Sequence, residues 1–322
     1  MKISIAMAAY NGSQYLQHQL SSFLKQDHLP DELIVCDDGS TDNTVEILEK
    51  FSSVAPFEVK VFSNKHNLGY TKNFEKAISK CDGDLIFLSD QDDEWFFNKI
   101  SAAIKFFEQN VEISLLIHDA KLVDENLQYY GANKLSQTIR GFGNDDVYTT
   151  GALSVIKKDL KDIILPFPKT IKFHDGWIHS VGKFLNKRAV MNVPLGLIRR
   201  HSNNASSWIA SSVKKISFFD VLKAQIRSID FHSQQKYNDR IEINQSLMIV
   251  LEKYKKINDR KNSNFFDQKQ KYLDQEFQAL TRRNNLPSYS FLMKKFKVIE
   301  LLLRGDYSYF NNWKSFIRDM LR

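Results

Sequence analysis

Three carboxylates fall within four residues at Asp90-Gln91-Asp92-Asp93, directly after the apolar run at 85–88. Mutual repulsion makes such a cluster unfavourable unless a cation compensates it. Magnesium and manganese prefer oxygen ligands of this kind, usually one or two carboxylates together with substrate phosphates. A divalent ion here would bridge the chain to a diphosphate and offset the charge that develops as it departs. The bland alternative is a solvated acidic loop. A second pair, Asp37-Asp38, follows the apolar run at 33–36. A carboxylate in that place accepts hydrogen bonds from a base N–H or a ribose hydroxyl, or else belongs to a turn and caps the next helix. Asp175 opens a helical pattern, where it serves either as a base toward an attacking hydroxyl or as a helix cap. Lys72 reads more naturally as a solvated helix-face lysine than as a phosphate contact.

These groups need elements to carry them. Residues 3–9 form a continuous apolar run, as expected of a strand buried on both faces, and Asn11-Gly12-Ser13 interrupts it with a helix cap. Leu16, Leu20, Phe23 and Leu24 then recur at helical spacing. Strands at 33–36, 59–62 and 85–88 alternate with helices carrying Val45, Leu48 and Phe51, and then Phe74, Ala77 and Ile78. This alternation predicts an α/β fold, a mostly parallel sheet with helices on both faces. Ligands of such sheets bind beyond the carboxyl ends of the strands, and Tyr10-Asn11, Asp37-Asp38 and Asp90 to Asp93 all fall there. From 100 to 200 the pattern is mixed, with a helix at 99–108, strands at 113–118 and 188–193, a glycine-rich stretch around 141–143 and a helix at 173–184.

The chain has 322 residues and a formal net charge of +7, a balance that suits anionic partners without selecting among them. Its length supports a core that needs no disulfide or structural metal. Cys36 and Cys81 read as buried thiols in a reducing compartment. No zinc finger, RNP-type motif or basic helix-turn-helix is visible, so nucleic acid is not an expected partner. The first residues read as a strand and not as a signal peptide, and no stretch nears the roughly 20 apolar residues of a spanning helix. No GxGxxG follows the first strand and no GxxxxGK[ST] occurs, which argues against a dinucleotide oxidoreductase and a P-loop NTPase. A nucleotide diphosphate would have to be held by metal.

Ala8-Ala9-Tyr10-Asn11-Gly12, Asp37-Asp38-Gly39-Ser40-Thr41-Asp42, Asn67-Leu68-Gly69 and Ser89-Asp90-Gln91-Asp92-Asp93-Glu94-Trp95 together resemble, in order and spacing, family 2 glycosyltransferases of the GT-A fold. His174-Asp175-Gly176-Trp177 and Arg199-Arg200-His201-Ser202-Asn203-Asn204 extend the resemblance to the bacterial subgroup that contains polysaccharide rhamnosyltransferases. The resemblance implies that Ala8 and Tyr10 contact the base, that Asp38 bonds it, and that Asp90 meets the ribose or the metal. It implies Asp92 as metal ligand, Asp175 as general base, and His201 at the diphosphate or the metal. Gly176 stands where the subgroup usually has an aromatic residue, and Arg200-His201-Ser202 where it has Gln-His-Gly. These departures bear on the donor sugar and acceptor.

The resemblance further implies an inverting transfer from a nucleotide sugar, dTDP-rhamnose first and UDP-hexoses next. A divalent ion, Mg2+ or Mn2+, would assist, and the acceptor would be a lipid-linked saccharide of a bacterial O-antigen or capsule. The expected place is the cytoplasm or the cytoplasmic face of the inner membrane. A catalytic domain at 1–209 and a helical C-terminal extension at 210–322 are expected, since glycine nearly disappears after about 210. Phe291, Leu292, Phe296, Ile299 and Leu303 interleave with Lys294, Lys295 and Lys297, the pattern of a basic amphipathic helix that lies on an anionic membrane or packs with its basic face in water. Two rivals remain: a non-catalytic nucleotide-sugar-binding scaffold in an assembly complex, and a nucleotidyltransferase. The second usually opens with a glycine-rich basic loop, which residues 8–13 do not supply.

Overall fold

The computed structural model describes residues 1–145, 147–202, 204, 211–217, 220, 234–258, 263–310 and 312–321. The chain divides into two compact units, one of Met1–Phe167 with Ile171–Ile229 and one of Pro168–Thr170 with Asp230–Arg322. The expected boundary between 209 and 210 lies outside the described residues.

The first unit runs β1 (Ile3–Ala9), α1 (Leu16–Leu24), β2 (Glu32–Asp37), α2 (Thr44–Ser52), β3 (Glu58–Ser63), α3 (Tyr70–Lys80), β4 (Leu85–Ser89), β5 (Glu94–Trp95) and α4 (Lys99–Gln109). It continues with β6 (Leu115–Asp124), β7 (Tyr129–Asn133), α5 (Lys134–Phe142), β8 (Ser154–Lys157), α6 (Lys158–Ile164), α7 (His174–Phe184) and β9 (Arg188–Arg200). The strands form one sheet in the order β3-β2-β1-β4-β8-β6-β9-β5, with β7 added on β6. The first four are parallel. β8 then runs antiparallel to both β4 and β6, and β6 is parallel to β9.

Alternation along the strands separates two buried faces. Ile3, Ile5 and Met7 of β1 join Leu33, Val35, Leu85 and Phe87 in a core with Leu16, Leu20 and Phe23 of α1, Leu48 of α2, and Ile100, Ala103 and Phe107 of α4. The intervening Ala6, Ile34, Cys36 and Ile86 are equally buried. This is why the strands read as continuous apolar runs. Fully burying one such large apolar side chain contributes about 1.5–3 kcal/mol.

The mixed region between 100 and 200 resolves into the sheet's second half. β9 extends well beyond the expected 188–193, through Pro194 to Arg200. A proline donates no ladder hydrogen bond. The sheet absorbs it where the β6–β9 register shifts between His118 and Asp119, and pairing resumes at Lys121↔Leu197. Beyond that point β9 also pairs with the two-residue β5, Glu94↔Leu197 and Trp95↔Gly196. The end of β9 therefore lies beside the acidic loop.

The described part of the second unit is helical, with Gln234–Ile257, Ser263–Asn284, Phe291–Leu303 and Asn312–Leu321. A 3-10 turn at Leu286–Ser288 separates the second and third of these. Leu286, Val298, Leu301 and Tyr307 form a small core. Two ion pairs brace it: Arg282 with Asp306 at 2.7 Å, and the buried Arg283 with Asp319 at 2.7 Å.

Candidate active site

In the order β3-β2-β1-β4 the chain winds outward from β1 on one side and resumes at β4 on the other. The carboxyl ends of β1 and β4 therefore flank the topological switch point, the ordinary ligand crevice of such sheets. The Gln91 side chain stitches the two ends together. Its Oε1 accepts from Tyr10 N–H at 2.9 Å and its Nε2 donates to Tyr10 C=O at 2.9 Å. Gly12 makes room for this clamp, because a Cβ there would stand 2.1 Å from Gln91 Oε1. Ala8 is half-buried at the end of β1 and the Tyr10 ring is exposed, so the surface expected for a base is open.

The two aspartates after β2 do different work. Asp37 is buried, and its Oδ2 accepts the N–H groups of Gly39 at 3.2 Å and Ser40 at 3.1 Å. It caps its own turn, in which Gly39 at φ +80° supplies the left-handed backbone. Asp38 is 2% exposed. It accepts from Asn64 Nδ2 and Leu68 N–H at 2.8 Å each, and from Gly69 N–H at 2.9 Å. A carboxylate offers about four lone-pair directions, so about one remains for a ligand. Asp38 thus fixes the Asn67-Leu68-Gly69 turn at the start of α3. Lys72 on that helix pairs with Glu75 at 2.5 Å, as a solvated helix-face lysine would.

The loop after β4 gathers Asp90, Asp92 and Asp93, whose carboxylate oxygens lie within 4.8 Å of one another. Trp95 anchors its far end, buried edge-on against Phe23 with ring centroids 4.7 Å apart. Asp92 Oδ2 meets His201 Nε2 at 2.8 Å and accepts from Asn204 Nδ2 at 3.1 Å. The end of β9 thereby brings the two expected metal residues together. Asp93 is buried and accepts Arg199 N–H at 3.1 Å, while Arg199 Nε donates to Asp92 C=O at 3.0 Å. The Arg199 guanidinium lies 4.6 Å from the Tyr15 ring centroid, and Tyr15 also packs on His201.

The electrostatics tie this loop to α7. Burial, then the charges of Asp92 and Asp175, push Asp90 up to about 7. Burial, then Asp92 and Asp90, hold Asp93 well above the usual carboxylate range. Asp175 is half-buried in the first turn of α7, its Oδ1 accepting Gly176 N–H at 2.7 Å. It is near enough to Asp90 for its charge to be felt there. Two buried lysines oppose the acids. Lys99 is driven down to about 7 by burial against the pull of Asp93 and Asp90. Lys134 is driven down to about 7 by burial and by Arg200, against Asp175 and Asp93.

Sequence reasoning meets Gln91, Arg199 and His174 inside motifs without giving them a role, and passes over Lys134. Lys99 had a legible signal: it shares the stripe of Ala103 and Phe107, and all three are buried. Its ammonium stands 3.8 Å from the Trp95 ring centroid. His174 is buried, stacked on Phe74 at 4.0 Å, and neither ring nitrogen has a hydrogen-bond partner.

The acid cluster fits a divalent cation, since like charges this close raise one another's proton affinity unless a positive ion takes the proton's place. The sign of the pH dependence follows. Asp90, at about 7 in the fold, lies above the ordinary carboxyl value of about 4, so the ionised group costs stability as pH rises from about 4 to 7. A metal offsets that cost. Lys99 works the other way, its cost being present below 10.5 and full below about 7. Affinity for Mn2+, measured calorimetrically with a nucleoside diphosphate present, is expected to fall roughly tenfold per displaced proton for each pH unit below 7. Equal affinity at pH 8 and pH 6 would show that the metal binds elsewhere.

Residues 4–163 match the profile of Glycosyl transferase family 2. A dTDP-rhamnosyl transferase of Shigella flexneri, RfbG, is 29% identical over 220 residues, which cover 62% of this chain and 72% of that protein. Among solved structures, TarS 1–349 of S. aureus in complex with UDP superposes with a TM-score of 0.55 at 17% identity, over 96% of this chain and 88% of that one. The mannosyltransferase PcManGT of Pyrobaculum calidifontis, in complex with GDP-Man and Mn2+, gives 0.50 at 13% identity, over 99% and 86%. The first unit has the GT-A fold these structures share, and the chain belongs to glycosyltransferase family 2.

Proposed function

We propose that the chain transfers a sugar with inversion from a nucleotide-sugar donor to a saccharide acceptor, carried on a lipid, in the synthesis of a bacterial surface polysaccharide such as an O-antigen or capsule. One observation carries this reading: the metal-compatible acids Asp90, Asp92 and Asp93 and the separate carboxylate of Asp175 act on one another at the β1/β4 crevice. The donor is dTDP-rhamnose, with UDP-hexoses next, in keeping with a relative named as a dTDP-rhamnosyl transferase. Residues 1–209 form the catalytic domain, and 210–322 a helical extension at the cytoplasmic face of the membrane.

Ala8, Tyr10 and the remaining acceptor direction of Asp38 receive the base, and Asp90 faces the ribose or the metal. Asp175 takes the proton of the acceptor hydroxyl as that oxygen attacks the anomeric carbon and the nucleoside diphosphate leaves from the opposite face. Asp92, with Asp90, Asp93 and His201 around it, would hold Mg2+ or Mn2+. When bound, that ion supplies positive charge to the departing diphosphate.

The test is a panel of dTDP-, UDP- and GDP-sugars, each assayed with and without Mn2+ for binding and for release of nucleoside diphosphate. One donor is expected to bind with metal and to turn over slowly into water, faster when lipid-linked saccharide is added. Tight, metal-independent binding with no turnover under any condition would instead make the chain a nucleotide-sugar-binding scaffold.

A further inference from the structure

The helix Phe291–Leu303 has two apolar faces, and among the described residues only one of them packs on a protein core. Val298 and Leu301 point into the small core with Tyr307. Leu292, Phe296, Ile299 and Leu303 recur at i, i+4, i+7 and i+11, which is one stripe of a helix. All four are exposed, Leu292 at 71%, Phe296 at 69% and Leu303 at 82%. The helix Asn312–Leu321 repeats the arrangement. Trp313, Ile317 and Leu321 recur every fourth residue and are exposed, while Phe316 and Met320 pack on the same small core. The two outward faces therefore belong to one body, which is held together where Lys295 Nζ donates to Met320 C=O. Single exposed apolar residues are ordinary on a surface, but two such stripes on one body mark an interaction site.

The charges around the stripes decide what covers them. Lys294, Lys295, Lys297, Arg304, Lys314 and Arg318 lie on or beside these two helices. Two of the neighbouring acids are themselves buried and spent on ion pairs, Asp306 with Arg282 and Asp319 with Arg283. The remaining one, Glu300, is neutralised by Lys297 at 2.7 Å and Arg304 at 2.9 Å. The face offered to solvent is apolar with a cationic border, and it carries an exposed tryptophan, a residue favoured at membrane–water interfaces. No helix among the described residues is long and apolar enough to cross a membrane.

We propose that Phe291–Leu303 and Asn312–Leu321 lie in the plane of an anionic bilayer, with the stripes Leu292, Phe296, Ile299, Leu303 and Trp313, Ile317, Leu321 sunk among the lipid chains and the lysines at the headgroups. The inference builds on the lipid-borne acceptor proposed above and gives the residues that would bring the enzyme to it. Acidic phospholipid is the partner because the border is cationic. A second copy of the chain would meet that same border with like charge.

The experiment is co-sedimentation of the full chain with phosphatidylglycerol/phosphatidylcholine vesicles and with phosphatidylcholine alone. Donor binding is measured in parallel, so that a failure here is separable from a failure of the transferase reading. The wild type is expected to bind the anionic vesicles at low salt and to release them at high salt. Leu292→Ser with Phe296→Ser and Leu303→Ser, three exposed positions, should weaken binding at least tenfold with donor affinity unchanged. Lys294→Ser with Lys314→Ser, which leaves the stripes intact, should weaken it roughly fivefold per lysine. The second variant also keeps the test sound if the first fails to fold. Wild type that ignores the vesicles at low salt overturns the proposal. So does binding that both variants retain. A concentration-dependent dimer abolished by the serine variant, without vesicle binding, overturns it in favour of a second copy.

Discussion

Asp175→Asn is expected to lower sugar transfer by about 10²–10⁴-fold, measured as acceptor-dependent release of nucleoside diphosphate, while leaving affinity for the nucleotide sugar unchanged. The variant removes the basic oxygen and little else. Asparagine has nearly the same shape and keeps an oxygen to accept the Gly176 N–H that Asp175 now accepts at 2.7 Å, so the first turn of α7 persists. A second readout separates base from cap. The charge of Asp175 is one of the causes that raise Asp90; without it Asp90 ionises more readily, and the pH at which Mn2+ binding fades should move downward. Slow turnover of the donor into water should fall far less than transfer, because it needs no acceptor to be deprotonated at that position. An unchanged transfer rate would mean that Asp175 merely caps the helix, and the proton would have to go to another group.

How much of this was legible in the sequence depends on the range of the interaction concerned. The acidic loop was, because carboxylates that end a buried apolar run have few other reasons to be there, and the strand pattern alone places Asp37-Asp38 and Asp90 to Asp93 on the same edge. The first four strands were for the same reason, each being buried on both faces and so unbroken in hydrophobicity. Asp38 shows where such reading stops. Nothing near it in sequence reveals that Asn64, Leu68 and Gly69, 26 to 31 residues away, take three of its acceptor directions. β8 is only four residues long and takes its place between β4 and β6 through long-range register. The same is true of the far half of β9, where Pro194 argues locally for an end and pairing with β5 and β6 overrides it. His201 is legible only through the family resemblance, because its neighbours alone allow a loop residue, and the length of β9 is what carries it to Asp92.

Asp92→Ala is the other change with a large expected effect: loss of transfer by roughly 10²–10³-fold, and loss of metal-dependent donor binding with it. Asp92 also holds the segment that follows β9, through His201 Nε2 at 2.8 Å and Asn204 Nδ2 at 3.1 Å. Removing it subtracts a metal ligand and loosens the segment beside it, and the two effects must be told apart. Asp92→Asn does so, because the amide oxygen still accepts a hydrogen bond while the charge is gone. If charge is what matters, asparagine is nearly as damaging as alanine in the presence of Mn2+, and both variants bind nucleotide as the wild type does without metal. If Asp92 only braces His201, asparagine restores most of the binding. His201→Ala completes the comparison. A residue that orients a metal-binding carboxylate typically costs 10–100-fold when removed, so a loss in that range assigns His201 to holding Asp92 in place. A loss as large as that of Asp92→Ala makes it a ligand in its own right. Donor binding that ignores Mn2+, Asp92 and His201 alike would leave the acidic loop a structural feature of the β1/β4 crevice, and the metal would drop out of the account of how the diphosphate leaves.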